Sequence, residues 1–212
     1  MRSIIVCCVA LFAMVSAFAG ESGVVKLPPP QTTGGMSLMQ ALQARHSSRE
    51  FDPRVLESQQ LSNLLWAAFG VNRADADKRT APSARNWREI EIYVALADGT
   101  YVYEPAANAL RRVVTRDVRA LTGVQDFVGN APLNLVYVAN RTRMQGASEA
   151  DKDHYAAADT GFIAQNVYLY CASVGLNTVV RGSVDRKALA VALKLTPQQQ
   201  IILAQTVGYP PK

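Results

Sequence analysis

Within Ala44-Arg45-His46-Ser47-Ser48-Arg49-Glu50-Phe51, two guanidinium groups and two hydroxyls lie within one short loop. Arginine presents a planar fork of N–H donors that matches phosphate oxygens, and serine hydroxyls with loop N–H groups fill the acceptor sites the fork leaves. An ordinary solvated basic loop has the same composition, so these residues need support from elsewhere in the chain.

Other chemistries find less support. No Cys/His cluster has metal-ligand spacing, and no serine–histidine pair with a third group points to hydrolysis. The basic residues are spread along the chain rather than interleaved with aromatics in a block, which argues against nucleic acid. Cys171, on an apolar helical face, reads as a small buried hydrophobe, and His154 beside Tyr155 as an exposed histidine near a helix start.

The elements that position the loop follow from periodicity. Ser37-Leu38-Met39-Gln40 has the form of a capping box, and Leu38, Met39 and Leu42 begin an apolar face that delivers the chain to Arg45. A second helix is predicted from Ser58 to Phe69, with Gly70 as its stop and Trp66 in the core. Asn72 to Thr80 reads as a polar loop. Ile90 to Ala97 and Tyr101 to Tyr103 read as strands joined at Asp98-Gly99.

Leu110, Val113, Val114, Val118 and Leu121 predict a helix ended by Gly123; Leu133 to Ala139 predicts a strand, and Arg141 to Asp153 a polar excursion. A strong helix is predicted from Asp159 to Gly175. Thr178 to Val180 then reads as a strand, Asp185 to Leu193 as a helix, Thr196-Pro197 as a further helix start, and Ile201 to Val207 as the last strand. This irregular alternation with a hairpin predicts a mixed sheet between helices.

The 212 residues suffice for one domain with a substantial core. Residues 1–19, with Arg2, an apolar run from Ile4 to Val15 and Ala17-Phe18-Ala19, read as a cleaved signal peptide, giving a periplasmic or secreted product without stable membrane insertion. Cleavage leaves Cys171 as the single thiol and a net charge of about +4, a balance suited to an anionic ligand. Residues 20–36, rich in proline and glycine, read as a linker or arm, and 37–212 as the folded domain.

The Arg45 to Phe51 stretch resembles the R-x-S-x-R-x-F loop of the FMN-dependent nitroreductase superfamily. Three more stretches resemble it in order: Ala81-Pro82-Ser83-Ala84-Arg85-Asn86, Asp159-Thr160-Gly161-Phe162-Ile163-Ala164-Gln165-Asn166, and Val207-Gly208-Tyr209-Pro210. Leu64 to Ala68, Glu91 to Val94 and Tyr101 to Pro105 are most similar to the branch containing SagB-type azoline dehydrogenases.

The resemblance implies an α+β three-layer sandwich, an intertwined homodimer, and an FMN-dependent oxidoreductase. It would move two electrons to or from a small conjugated substrate by a ping-pong mechanism, without a catalytic triad. By position, Arg45 and Ser47 would hold the phosphate and ribityl end, with the His46 backbone, and Arg49 would lie nearer the pyrimidine edge. Pro82, Ser83, Ala84 and Asn86 would reach the ring from the second subunit, and Arg181 and Gly182 would present backbone N–H groups. Lys212 is the remaining candidate for the phosphate. Where relatives carry Gln-Pro after the asparagine, this chain has Arg88-Glu89, and the Asn72 to Thr80 and Arg141 to His154 loops are the expected substrate walls. A non-catalytic flavin- or ligand-binding protein and an azoline-dehydrogenase-like accessory subunit are the alternatives.

Overall fold

A computed structural model describes residues 23–212; the signal-peptide reading of residues 1–19 falls outside them. The fold is α+β in three layers. Strands β1 (Val24–Lys26), β4 (Ile90–Leu96), β5 (Gly99–Glu104), β6 (Ala109–Val114), β7 (Leu133–Asn140), β8 (Asn177–Arg181) and β9 (Gln199–Gly208) form one sheet in the order β1-β6-β5-β4-β7-β9-β8. Where the sequence suggested a mixed sheet, every ladder among the described strands is antiparallel.

The centre of the sheet is the centre of the core. β7 is buried from Leu133 to Ala139, as its uninterrupted apolar run requires when both faces are covered. One face packs against α2 (Ser58–Phe69) and α3 (Glu149–Val174), where Leu64, Leu65, Ile163, Val167 and Cys171 meet Ile92 and Tyr137. On the other face, Leu189 and Leu193 of α4 (Arg186–Leu193) meet Tyr93, Val136 and Val138. Each such side chain removed from water contributes about 1.5–3 kcal/mol before entropy is counted.

Local signals act as the sequence implies at several ends. Ser37 and Gln40 form the reciprocal capping box of α1 (Leu38–Ala44), Asp185 caps α4 through the Ala188 N–H, and Gly175 ends α3 at φ 73°. At the β4–β5 turn, a Cβ on Gly99 would lie 2.5 Å from the Val114 carbonyl oxygen, so that turn needs glycine.

Elsewhere the local reading was overruled. The predicted helix from Leu110 to Leu121 is strand β6 followed by a short 3-10 turn over Arg119–Thr122, because β6 is paired on both sides, with β5 and β1. Residues Val24–Lys26 of the arm supply β1, and Leu27 is buried. The Asn72 to Thr80 loop forms a small ribbon, β2 (Val71–Arg73) with β3 (Lys78–Arg79). Helix α3 starts ten residues before Asp159, capped by Ser148; its first turns are mainly solvated and give no apolar signal. Thr196-Pro197 makes a turn closed by Gln199 N–H to the Thr196 carbonyl, not a helix. Trp66 is only half-buried, its indole N–H donating to the Val71 carbonyl at 3.0 Å.

Candidate functional site

The basic loop leaves α1 with the Arg45 N–H on the Ala41 carbonyl and then runs along the ends of β8 and β9. Ser48 N–H donates to the Thr178 carbonyl at 3.0 Å, the Asn177 amide to the Glu50 carbonyl at 2.8 Å, and Asp52 N–H to the Tyr209 carbonyl at 2.9 Å. The loop is thereby held on the sheet while its side chains remain accessible.

Tyr168 of α3 organises the charged end. Its hydroxyl accepts the Val180 N–H at 2.9 Å, leaving the phenolic proton free to donate to Ser47 Oγ at 2.8 Å. The Arg45 guanidinium lies 5.3 Å from the centre of the Tyr168 ring, a cation–π contact that leaves its donors available. His46 turns Nδ1 toward the Ala44 carbonyl at 2.9 Å, and Arg49 is exposed. Among the described residues, neither Arg45 nor Arg49 has a carboxylate at ion-pair distance. Lys212 is exposed, three residues beyond the Tyr209 bridge to Asp52.

Arg181 is the last residue of β8, directly after Val180. Its side chain is buried: Nη1 donates to the Thr122 carbonyl at 2.7 Å and Nη2 to Asn134 Oδ1 at 2.9 Å. Burial pushes its pKa down to about 10, so it stays charged at neutral pH as a structural cation. Gly182 follows directly at the end of β8. Arg45, His46, Ser47 and Arg49 thus share one loop beside β8, and Arg181-Gly182 follow Val180, which is joined to Ser47 through the Tyr168 hydroxyl.

Pro82, Ser83, Ala84 and Asn86 lie elsewhere. Ala84–Asn86 is a short turn whose first N–H, from Ala84, donates to Asp159 Oδ2 at 2.9 Å. Ser83 Oγ accepts the Arg88 N–H at 2.8 Å and donates to Glu89 Oε2 at 3.2 Å. Asp159 and Tyr168 stand nine residues apart on α3, which is about 13 Å along the axis and half a turn around it. One chain therefore does not bring the Arg45 group and the Pro82 group together.

Two residues of this second region escaped sequence reasoning as site members. Glu89 is fully buried and Asp159 nearly so. Burial first, and the Asp159 carboxylate second, push the Glu89 carboxyl up to about 7, while backbone and Ser83 hydrogen bonds oppose the shift. The available signal was an acid, Asp159, inside the small and apolar stretch from Ala156 to Ile163.

Two further features bear on what the molecule presents to others. The apolar face of α1 points outward: Leu38 is 63% and Met39 74% exposed, with Leu42, and Phe162 and Val174 of α3, also exposed. An apolar cavity of about 190 Å³ between Leu27, Leu56, Leu61, Tyr101 and Leu133 contains none of the predicted site residues. Among the described residues no group of three or more potential metal ligands occurs, and no helix is long and apolar enough to cross a membrane.

Comparison with known proteins agrees with this architecture. The model of the nitroreductase family matches residues 42–209. A Methanocaldococcus jannaschii protein named as a nitroreductase is 32% identical over 199 residues, covering 89% of this chain and 98% of its own. A crystal structure of a protein so named from Ralstonia eutropha superposes with a TM-score of 0.86 at 47% identity, over 92% of this chain and 93% of that one. A chain of the Escherichia coli microcin synthetase complex shares the fold, with a TM-score of 0.72 at 19% identity, over 99% of this chain and 85% of that one.

Proposed function

The chain belongs to the nitroreductase family of oxidoreductases, and from that premise we propose that it is an FMN-dependent enzyme acting on a small conjugated organic substrate. The observation that carries the cofactor is the donor set at Arg45, Ser47 and Arg49: two arginines without an acidic partner among the described residues, and a hydroxyl fixed by Tyr168, on one accessible loop. That set fits a phosphate and a polyol tail.

In this reading Arg45 and Ser47 hold the phosphate end with the His46 backbone, Lys212 adds a second cation, and Arg181 and Gly182 contribute N–H groups. Arg49 favours negative charge on the ring by charge pairing. FMN, when bound, supplies two-electron transfer; the chain binds, orients and shields it. Donor and acceptor then use the site in turn, which is ping-pong kinetics.

The proposal includes a homodimer. Pro82, Ser83, Ala84 and Asn86 stand apart from Arg45 within one chain, and a second copy would complete the site. The exposed Leu38, Met39, Leu42, Phe162 and Val174 give such a copy an apolar surface to cover. It also includes export, supported by residues 1–19, for which cell fractionation with N-terminal sequencing is the test.

The deciding experiment is to purify the protein, titrate FMN and record the flavin band near roughly 450 nm together with sedimentation. A yellow dimer reduced by a donor and reoxidised by a nitroaromatic or quinone is the expected result. A colourless protein that takes up no FMN overturns the proposal, and a yellow one that no donor reduces assigns a binding protein instead.

A further inference from the structure

Beside the Pro82–Asn86 segment is a cavity of about 440 Å³ whose wall carries five cations, Arg73, Lys78, Arg79, Arg85 and Arg88. Asp77 is the one carboxylate paired with any of them among the described residues: it lies 3.4 Å from Arg79 and also contacts Arg88. Arg73, Lys78 and Arg85 have no ion pair there, and Asp75 on the same ribbon is exposed. The adjoining cavity of about 350 Å³ differs, because its own arginines, Arg143 and Arg111, are matched to Glu91 at 2.6 Å and Glu104 at 2.7 Å.

Arg79 makes the imbalance specific. Its side chain keeps only 11% exposure, and its Nε and Nη1 are buried without hydrogen-bond partners among the described residues. Unsatisfied buried donors are rare in folded proteins and call for a missing acceptor. Burial, together with repulsion from Arg143, lowers the Arg79 pKa, against the opposing influence of Tyr103.

Backbone conformation singles out the same wall. Asp77, Arg85, Asn86 and Arg88 have φ of 45°, 49°, 58° and 51°, and only Asn108 and Lys194 join them among the described non-glycine residues. Left-handed conformations at residues with side chains are strained, and such strain gathers where a site needs it. Here it turns a run of cations toward one space.

We propose that this cavity recognises the anionic oxygens, carboxylate or phosphate, of a planar conjugated substrate. The position of that substrate beside the ring rests on the cofactor reading above, since Pro82, Ser83 and Asn86 also line the cavity. The Arg85 guanidinium, 5.3 Å from the Trp87 ring, adds a flat cationic edge to the wall.

The test uses the full chain with FMN supplied and three probes: benzoate, phenyl phosphate and the neutral benzamide, followed by flavin absorbance and by thermal shift. One anion should bind at least roughly tenfold more tightly than benzamide, the worth of one charge-assisted hydrogen bond. Tighter benzoate assigns a carboxylic acid, and tighter phenyl phosphate a phosphate ester. The preference should fall to about twofold in R79Q/R88Q with FMN uptake unchanged. Should that variant not fold, Arg85→Gln, on the exposed part of the wall, should cut the preference about threefold. Equal binding of benzamide, or loss of FMN in parallel with loss of the anion, overturns the proposal. A protein that takes up no FMN but still prefers an anion through Arg79 in the thermal shift keeps this site and loses only the cofactor reading.

Discussion

The Arg45 to Asp52 loop rests on β8 and β9 through ordinary backbone hydrogen bonds, and none of its residues is in the left-handed region. The Asp77 to Glu89 segment is built the other way. It holds four of its turns' residues at positive φ, buries Glu89 completely, and hangs Ala84 from Asp159. The first region displays charge that water already solvates, so its residues can be changed at little cost to folding. The second draws its properties from burial and strain, so stability and binding are coupled there.

The largest test of that difference is pH. Glu89 ionises near its ordinary value of 4.5 in the unfolded chain but only at about 7 in the folded one. Folded-state proton binding therefore stabilises fully below about pH 4.5, and this contribution is lost as pH rises through about 7. Urea unfolding should show roughly 2–3 kcal/mol disappearing across that window. Glu89→Gln should flatten this component, since the amide never acquires the second negative charge beside Asp159. An unchanged pH profile in the variant would break the contrast.

Asp159→Ala comes next. It strands the Ala84 N–H and removes the anchor of the strained turn, an expected cost of about 2 kcal/mol in chemical denaturation with faster proteolysis near Ser83 to Arg88. Arg45→Ala and Arg49→Ala should behave in the opposite sense. Each is expected to leave stability within about 0.5 kcal/mol while weakening FMN binding by roughly one to two powers of ten. Arg49→Ala should also lower the flavin midpoint potential. Large unfolding effects with unchanged FMN titrations would reverse the roles assigned to the two regions.

The same contrast explains what could be read from the chain. Ser37 with Gln40, Gly70 and Gly175 are local devices whose residue types dictate local geometry, and they appear where composition places them, while the hairpin expected at Asp98-Gly99 turns one residue earlier, at Ala97-Asp98, with Gly99 already paired to Leu96. The Arg45 loop could be singled out because its donors, Arg45, Ser47 and Arg49, are neighbours in sequence, and its service to a phosphate belongs to the proposed function. β6 was misread because Leu110, Val113 and Val114 fit a helical stripe, and only pairing with β1 and β5 selects the strand. The outward face of α1 was unreadable in principle, since a stripe of Leu38, Met39 and Leu42 is the same whether it meets its own core or another surface. Glu89 and Asp159 are far apart in sequence, so their pairing has no local signature, whereas the cations from Arg73 to Arg88 are near neighbours whose shortage of acidic partners only the fold shows.

Cys171 should show the smallest effect and so sets the baseline for both regions. It lies on α3 between Asp159 and the end of the helix, fully buried against Tyr137 and Val167 in the core cluster. Burial raises its thiol pKa well above the ordinary range, with a hydrogen bond to Thr178 opposing only in part, so almost no thiolate exists at neutral pH. A disulfide reagent should leave the folded protein unlabelled and react fully once urea is added. Cys171→Ala removes a single sulfur from a packed site, for which about 1 kcal/mol of destabilisation is expected, with FMN affinity and the preference for anionic probes unchanged. If that variant instead altered either binding reaction, packing along α3 would be coupling the loop at Tyr168 to the turn at Asp159, and the two regions could no longer be treated as independent.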